Sequence, residues 1–362
     1  MNKMGFGFLR LPMTEINGEK QVDIAAACAL VDRFVEKGGR YFDTAYTYLK
    51  GTSETTLRES LVKRYPRDAF MICDKLAGYN ARSYEECEKQ FADMQERCGV
   101  EKFDVLMLHW LNKKNYEMAE AYDEFKFISD MKAAGKADRI GFSYHDSPEL
   151  LDEILTKHPE VDCVLIQINY LDWLSPTLQA KKLYEVLRKH EKAIFVMEPI
   201  KGGSLAKLPE DVEAMLPGRS PAAWALAFAQ GLEGVEVVLS GINGIEQINE
   251  NLNDIEPLTE AETQQLLNAA EKLRSTIAVA CTGCGYCMSH CPKKLAIPDY
   301  MSLYNEMARN TGESWKMGHS YEAIAIKSAA ANECIGCKVC EKNCPQKLEI
   351  ADVMAKIAKS FK

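Results

Sequence analysis

The 362-residue chain lacks the features that mark secreted and membrane-spanning proteins. It has no run of eighteen apolar residues, and its opening residues do not join a basic segment to an apolar one. It also has no concentrated basic stripe of the kind that binds nucleic acid. These absences, with 47% hydrophobic and 27% charged residues, predict an ordinary globular protein of the cytoplasm with neither a membrane nor a nucleic-acid partner.

Thirteen cysteines are present, and five of them are scattered in a way that indicates reduced thiols. The other eight form two copies of one pattern, with two, two and three residues between successive cysteines and a proline after the last. This spacing is typical of 4Fe–4S binding, in which three thiolates of a run hold one cluster and the fourth ligates the other cluster. The expected ligand sets are Cys281, Cys284, Cys287 and Cys344 for cluster I, and Cys334, Cys337, Cys340 and Cys291 for cluster II.

Zinc and disulfides are the rival interpretations of these two runs. A zinc site normally takes four ligands from one compact group, which does not account for two sets of four that interleave between the runs. The spacing and the Cys-Pro ending recur together, which favours two 4Fe–4S clusters. The segment resembles bacterial two-cluster ferredoxins.

Upstream of these cysteines, strand-like and helix-like patterns alternate almost without interruption. Eight β–α units in a row predict an α/β fold, a closed (β/α)8 TIM barrel. A doubly wound sheet is the alternative, weakened because no G-x-G-x-x-G follows the first strand. The expected strands are Gly5–Leu11, Tyr41–Thr44, Phe70–Lys75, Phe103–His109, Arg139–Ser143, Val161–Asn169, Ala193–Glu198 and Val235–Ser240.

After the barrel pattern, one further helix is predicted over Thr259–Ser275. Its start is marked by a capping box, with Thr259 followed three residues later by Glu262. The expected domains are therefore a barrel at residues 1–275 and a small α+β ferredoxin-like iron–sulfur domain at residues 276–362. No low-complexity linker separates them.

Polar side chains follow three successive predicted strands of the barrel. Catalytic groups of such barrels lie at the carboxyl ends of the strands, where Asp43, Tyr48, Lys75 and His109 stand. Reduction of a carbonyl by hydride requires a proton for the developing alkoxide, and a phenol with a lowered pKa can supply it. Lys75 is the expected cation beside Tyr48; Asp43 would hold it charged, and His109 would polarise the carbonyl.

At these residues the barrel resembles the aldo-keto reductase superfamily, over roughly residues 4–275 in strand order. The family tetrad is Asp, Tyr, Lys and His, with the tyrosine five positions after the aspartate, which selects Tyr48 over Tyr46. The resemblance implies that a nicotinamide cofactor binds at the matching positions. These are Ser143 and Gln167 for the nicotinamide amide; Glu198, Lys201 and Gly202 for the pyrophosphate; and Ser240, Gly241, Asn243, Gln247, Glu250 and Asn251 for the adenosine end.

Two departures from the family pattern concern the cofactor. Gly241 and Gln247 stand where the family commonly has cations around the 2′-phosphate of NADP, so strong NADP preference is in doubt. Met197 replaces an aromatic residue that stacks on nicotinamide, and Tyr144 replaces an asparagine. Tyr79, Trp110, Tyr170 and Trp173 stand near strand ends, either as an apolar substrate wall or as loop packing.

The two halves handle electrons differently, because nicotinamide moves a hydride whereas a 4Fe–4S cluster passes one electron at a time. A flavin normally mediates between them. Three arrangements stay open: a flavin in the barrel, a flavoprotein or ferredoxin-linked redox partner, or purely structural clusters. The leading interpretation is a nicotinamide-dependent oxidoreductase acting on a small carbonyl or alcohol substrate and carrying two clusters for electron transfer. The alternative is an iron–sulfur electron-transfer protein whose barrel is a docking or cofactor scaffold.

Overall fold

The computed structural model describes residues 3–16, 18–175, 178–253, 255–309 and 317–361. It divides into two compact units, residues 1–200 with 219–263, and residues 201–218 with 264–362. By compactness, therefore, the segment Lys201–Gly218 belongs with the cysteine-rich unit. The expected domain boundary at residue 275 stays a prediction. In the described part of the chain, no helix is both long and apolar enough to span a bilayer.

The first unit is built around a closed ring of parallel strands. Its strands are β1 (Met4–Gly7), β2 (Met13–Ile16), β3 (Glu19–Val22), β4 (Tyr41–Asp43), β5 (Met71–Leu76), β6 (Phe103–Leu111), β7 (Ala137–Tyr144), β8 (Cys163–Gln167), β9 (Ala193–Met197) and β10 (Val235–Gly241). The ring runs from β4 to β10 in chain order and closes through β1, which pairs in parallel with both β10 and β4. The predicted (β/α)8 barrel is thus confirmed, and each of its eight strands overlaps the expected segment.

The barrel strands are rich in apolar residues because the interior and the helical layer bury both their faces. Inside the ring, Tyr41, Met107, Leu165 and Phe195 pack together with their neighbours in one apolar cluster. The hairpin β2–β3 lies apart from the ring and pairs antiparallel, with Ile16 opposite Glu19. Only the barrel strands therefore aim their carboxyl ends at a common rim.

Helices follow the strands, and several begin at a side-chain cap that satisfies an otherwise unpaired backbone N–H. Ser83, Asn112, Ser147 and Ser220 each accept a hydrogen bond from the residue three positions on. The helices before the cysteine runs are α1 (Ile24–Glu36), α2 (Ser53–Leu57), α3 (Tyr84–Cys98), α4 (Lys113–Ala121), α5 (Glu124–Ala133), α6 (Pro148–Lys157), α7 (Ala180–Lys189), α8 (Glu210–Glu213), α9 (Pro221–Gly231), α10 (Ile245–Asn251) and α11 (Glu260–Thr276). The capping box expected at α11 is present, since Thr259 and Glu262 exchange hydrogen bonds.

The second unit repeats one short motif around its cysteine runs. Its remaining helices are α12 (Tyr286–Ser289), α13 (Ile297–Arg309), α14 (Gly318–Lys327), α15 (Val339–Lys342) and α16 (Ile350–Ser360). Helices α12 and α15 lie within the first and second cysteine runs, and α13 and α16 follow those runs in the same order. Ile297, Tyr300, Met301, Ile350 and Met354 form its core with their neighbours, so the two repeats share one apolar centre.

Candidate active site and cluster cradles

An ion pair lies at the carboxyl ends of β4 and β5. The Nζ atom of Lys75 donates to Asp43 Oδ1 at 2.5 Å and to the carbonyl oxygen of Thr44 at 2.7 Å. Both side chains are buried. Burial alone would lower the pKa of Lys75, but Asp43, with smaller contributions from Cys73 and Asp74, outweighs burial and the lysine pKa is raised. Lys75 therefore stays charged at neutral pH.

Tyr48 lies beside this pair, in a short 3-10 turn at Tyr48–Gly51. Its ring centroid is 4.8 Å from the Nζ atom of Lys75. The turn holds Leu49, Lys50 and Gly51 in succession at positive φ, of 50°, 59° and 86°. Two non-glycine residues in a left-handed conformation are costly, and such backbone persists where surrounding structure enforces it.

The expectation that Lys75 lowers the pKa of Tyr48 is wrong for this structure. Burial raises the pKa of Tyr48 well above its usual value, and the Asp43 carboxylate acts in the same direction. In the protein alone, burial and this carboxylate therefore outweigh the Lys75 charge, which lies 4.8 Å from the ring centroid. Tyr48 is therefore a protonated donor in the protein alone.

His109, near the end of β6, completes this group of side chains. Its ring packs edge-on against Tyr48 with centroids 5.5 Å apart. Burial lowers the pKa of His109 well below its usual value, and the Lys75 charge adds to the effect. The imidazole is therefore neutral and able to donate one N–H. The barrel thus brings together Asp43, Tyr48, Lys75 and His109, as expected from sequence.

Tyr46, the rival phenol two residues earlier, has different neighbours. The guanidinium of Arg97 lies 4.3 Å from the centroid of its ring. Its hydroxyl lies 3.3 Å from an Arg97 nitrogen and 3.4 Å from Asp93, both on α3. Geometry thus favours Tyr48 over Tyr46 as the residue that faces Lys75 and His109.

Two residues expected to hold the nicotinamide amide lie at neighbouring strand ends and already have protein partners. Ser143 Oγ on β7 accepts a hydrogen bond from the backbone N–H of Trp110 at 2.7 Å. Gln167 on β8 donates from Nε2 to Asp172 at 2.7 Å. Asp172, which the sequence analysis did not single out, also accepts from Asn169. It therefore fixes the amide orientation of Gln167.

The residues expected at the adenosine end surround the end of β10. Asn251 is buried and donates to Ser240 Oγ at 3.1 Å, and Gln247 accepts from the backbone N–H of Asn243 at 2.9 Å. Glu250 accepts from the hydroxyl of Ser220, the residue that caps α9. These contacts shape the loop and the start of α10 without help from a cofactor.

Arg10 is a cation at this rim that the sequence analysis missed. It follows β1, pairs with Glu198 at 3.6 Å, and packs so closely on Gly241 that an added Cβ there would lie 2.9 Å from Arg10 Cδ. Glu198 has a positive φ of 55°. Gly241 itself carries no cation, but the guanidinium of Arg10, which follows β1, supplies a positive charge beside it. The rule that singles out strand ends applies equally to β1 and would have found Arg10.

Two of the expected cofactor residues, Lys201 and Gly202, belong to the second compact unit. Lys201 is buried, and its Nζ donates to Gln346 at 3.2 Å within that unit. Gly202 is in a left-handed conformation with φ of 65°. In the structure, Lys201 therefore has a protein partner beside the second cysteine run.

The eight cysteines of the two runs line two separate cavities, which we call cradle I and cradle II. Cradle I is lined by Cys281, Cys284, Cys287 and Cys344, with apolar residues from α13. Cradle II is lined by Cys291, Cys334, Cys337 and Cys340. Each cavity thus receives three cysteines of one run and the last of the other, as exchange of ligands between the runs requires. Cluster ligation itself stays a prediction.

The backbone of both cradles suits a cubane cluster. Gly283, Gly285 and Gly336 have positive φ between 66° and 82°, which lets the chain curl tightly between thiols. The N–H of Gly283 points at Cys281 Sγ, 3.4 Å away. Four convergent thiols and sulfur-directed N–H groups are the donor set of a 4Fe–4S cluster. The residues therefore fit the group.

The aromatic residues near the strand ends separate into two kinds. Tyr79 is half-buried, packs near His109 and Trp110, and its hydroxyl lies 3.3 Å from that of Thr47. Tyr170 and Trp173 are buried, and Trp173 packs on Phe228. Tyr170 and Trp173 therefore belong to the packing between strand ends and helices, whereas Tyr79 and Trp110 border the group formed by Asp43, Tyr48, Lys75 and His109.

The geometry gives a (β/α)8 barrel with four polar side chains gathered at its strand ends and a second unit with two four-cysteine cavities, and comparison with known proteins gives the family. Residues 3–271 match the aldo/keto reductase family and residues 280–349 match the 4Fe-4S dicluster domain. The chain belongs to the aldo/keto reductase family.

Individual relatives are distant. The 9,11-endoperoxide prostaglandin H2 reductase of Trypanosoma cruzi is 26% identical over 200 residues, covering 55% of this chain and 65% of that protein. The chain thus spans less than two thirds of this curated relative. The holo form of a Bacillus halodurans aldo-keto reductase superposes with a TM-score of 0.61 at 22% identity, covering 74% of this chain and 91% of that one. A Klebsiella pneumoniae aldo-keto reductase in complex with NADPH gives 0.58 at 18% identity, with 73% and 89% covered. These structural likenesses concern the fold.

Proposed function

We propose that the protein is a nicotinamide-dependent oxidoreductase that interconverts a small carbonyl compound and its alcohol. The observation that carries this proposal is the group formed by the buried Lys75–Asp43 pair with the Tyr48 and His109 rings beside it. Each member alone has structural explanations. Together they supply a charged lysine, a protonated phenol and a neutral imidazole at the strand ends of a barrel, where such barrels carry out catalysis.

Each side chain has a definite part in the proposed reaction. The neutral His109 imidazole donates a hydrogen bond to the carbonyl oxygen and holds it near Tyr48. The Tyr48 hydroxyl gives its proton to the oxygen as negative charge develops there. Lys75 favours the phenolate that remains, and Asp43 keeps the lysine charged and fixed. Nicotinamide, when bound, supplies or accepts the hydride.

The cofactor is proposed to lie across the ends of β7 to β10 and β1. Ser143 and Gln167 offer the hydroxyl and amide chemistry that suits a carboxamide, and Arg10 offers a guanidinium that suits a phosphate. Asp172 and Glu198 orient Gln167 and Arg10 through the contacts described above. Asn243, Gln247, Glu250 and Asn251 shape the loop after β10.

We further propose that the second unit holds two 4Fe–4S clusters that take part in electron transfer. The two cradles of four cysteines support this proposal. Such clusters pass one electron at a time, so coupling to hydride chemistry requires a flavin, either bound to the protein or carried by a partner flavoprotein. Reduced thiols and oxygen-sensitive clusters together favour a cytoplasmic location.

Deuterium transfer tests the catalytic proposal. Nicotinamide cofactor carrying deuterium at C4 is incubated anaerobically with the holoprotein and a panel of aldehydes, and the alcohols are analysed by mass spectrometry. Direct hydride transfer places one deuterium on the carbinol carbon. Alcohol that forms without deuterium, from cofactor labelled on either face of C4, would show that electrons reach the substrate by another route.

A second candidate function is that of an electron-transfer protein in which the barrel is only a scaffold. The two cluster cradles are the observation that supports it. It predicts cluster reduction by a redox partner without any dependence on Tyr48. Anaerobic electrochemistry with cofactor analysis separates the two, because only the first requires a nicotinamide that oxidises as substrate disappears.

A further inference from the structure

The two cradles are related by the internal repeat, so their surroundings can be compared position by position. Gly336 and Lys338 of cradle II correspond to Gly283 and Gly285 of cradle I, and all four have positive φ. Lys294 and Lys347, after the two last cysteines, also share this conformation. The backbone is thus repeated closely enough that differences between cradles are differences of side chain.

At matched positions the cradles differ in exposure and charge. Thr282 of cradle I is 5% exposed, whereas its counterpart Ile335 in cradle II is 62% exposed. Gly285 is replaced by the exposed Lys338, which accepts a left-handed conformation with φ of 58°. Lys338 thus places an exposed positive charge at a position where cradle I has none.

The third matched pair shows the same contrast. Gln346, which lines cradle I, is buried and accepts the hydrogen bond from Lys201. Its counterpart Lys293 lines cradle II and is exposed, as is the adjacent Lys294. Gln346 is therefore buried beside Lys201, whereas cradle II is the more exposed of the two: its Cys337 is exposed and the matched Cys284 is half-buried.

Lysines outnumber carboxylates among the described, exposed side chains around cradle II, where Glu333 is the exposed carboxylate. Lys293, Lys294 and Lys338 are exposed. Of the nearby carboxylates, Glu333 accepts from the backbone N–H of Ala330, and Glu341 accepts from that of Ala351 while lying 3.7 Å from Lys338. Cradle II thus presents an exposed isoleucine within a rim of lysines, although the whole chain has a net charge of −9.

We propose that cradle II is the docking face for a small, acidic one-electron carrier protein. This inference rests on the proposed function, namely that both cradles hold redox-active clusters. The carrier's carboxylates would meet Lys293, Lys294 and Lys338, and an apolar spot beside its redox centre would cover Ile335. One electron passes from the reduced carrier to the chain, with no bond made or broken and no proton transferred.

Binding and kinetics of the anaerobic holoprotein with a plant-type 2Fe–2S ferredoxin, an acidic carrier, test this inference. The Kd is measured by biolayer interferometry, and the second-order rate of electron transfer by stopped flow, from 20 mM to 1 M NaCl. Reversing two charges (K293E with K338E) should raise Kd and slow transfer by about tenfold at low salt. The difference in Kd and rate between wild type and variant should vanish near 1 M salt. The Debye length is then about 3 Å, so the charges on the two proteins no longer attract each other appreciably.

Three controls make the test specific. Lys359→Glu reverses an equally exposed lysine on α16 and should change neither quantity by more than about twofold. Ile335→Asn should weaken binding at all salt concentrations, because it removes the apolar contact without adding a charge. Cytochrome c, a basic carrier, should bind the wild type poorly and the double charge-reversal variant better.

Two sets of results overturn the inference. One is equal ferredoxin affinity in wild type and the Lys293/Lys338 variant at low salt; the other is tighter binding of cytochrome c than of ferredoxin to the wild type. Iron and sulfide content, with the electron paramagnetic resonance spectrum of dithionite-reduced protein, is recorded for every variant. Missing clusters in the wild type would refute the proposed function, whereas complete, reducible clusters without salt-dependent docking would refute only the docking face.

Discussion

Glu124 makes the stability of the barrel depend on pH near neutrality. The side chain, at the start of α5, is 2% exposed, and its Oε1 atom has no hydrogen-bond partner among the described residues. Its carboxyl group lies directly on Gly78, where an added Cβ would approach Oε2 to 1.9 Å. Burial raises the pKa of Glu124 to about 7, opposed only weakly by Arg82.

The sign and size of the effect follow from this pKa. Between the ordinary value of 4.5 and about 7 the folded state binds a proton that the unfolded state has lost, so stability falls as pH rises through this window. The full loss is on the order of 3 kcal/mol. For a domain of this size that corresponds to roughly 6 to 12 °C in the melting temperature.

Glu124→Gln should abolish this slope. Barrel melting is followed by circular dichroism from pH 5 to 8.5 for wild type, Glu124→Gln and Glu19→Gln, the last a control at an exposed carboxylate. The melting temperature of the glutamine variant should rise relative to that of wild type as pH increases. The melting temperature of the control should change with pH in the same way as that of wild type. A difference in melting temperature between Glu124→Gln and wild type that stays constant with pH would refute the reasoning. A lost contact changes stability equally at every pH, whereas ionisation of a buried carboxyl group makes the difference depend on pH.

Three further predictions concern the two cofactor systems. Anaerobically reconstituted protein should contain about eight irons and eight sulfides per chain, whereas about four irons, or zinc instead, would contradict two clusters. Cys291→Ala should damage the cluster held by Cys334, Cys337 and Cys340; loss confined to the cluster of its own run would contradict ligand exchange. NADH should be used at least comparably with NADPH by kcat/KM, because Gly241 and Gln247 carry no charge and Arg10 is paired with Glu198. An NADPH preference above about a hundredfold, near 2.7 kcal/mol, would contradict this and assign the 2′-phosphate to Arg10.

The strand pattern allowed most of the barrel to be predicted, because parallel strands buried on both faces are short continuous apolar runs. The first strand was predicted too long: β1 ends at Gly7, and residues 8–10 form a turn and a bend, although the N–H of Phe8 still donates to the carbonyl oxygen of Asp43. The β2–β3 hairpin was missed although Asn17-Gly18, a strong hairpin signal, separates its strands. These strands are short and carry charged residues, so the apolar pattern does not mark them.

The candidate site was less accessible to sequence reasoning than the fold. The tetrad positions follow from strand ends, which a linear pattern can place. The pKa of Tyr48 depends on how fully Asp43 neutralises Lys75 and on burial, neither of which a linear pattern contains. Arg10 and Asp172 act through contacts with Glu198 and Gln167, and such pairings between distant segments exist only after folding.

The most direct test of the catalytic account compares Tyr48→Phe with Tyr46→Phe in the anaerobic holoprotein. Each change removes one hydroxyl, and Tyr46 is turned towards Arg97 and away from the tetrad. Carbonyl reduction by Tyr48→Phe should fall by a factor on the order of 10² to 10⁴ in kcat, with the Kd for nicotinamide unchanged, because a positioned proton donor is lost. Tyr46→Phe should retain most activity. Wild-type turnover by Tyr48→Phe with cofactor bound as before would contradict proton donation by Tyr48 and favour the electron-transfer function instead.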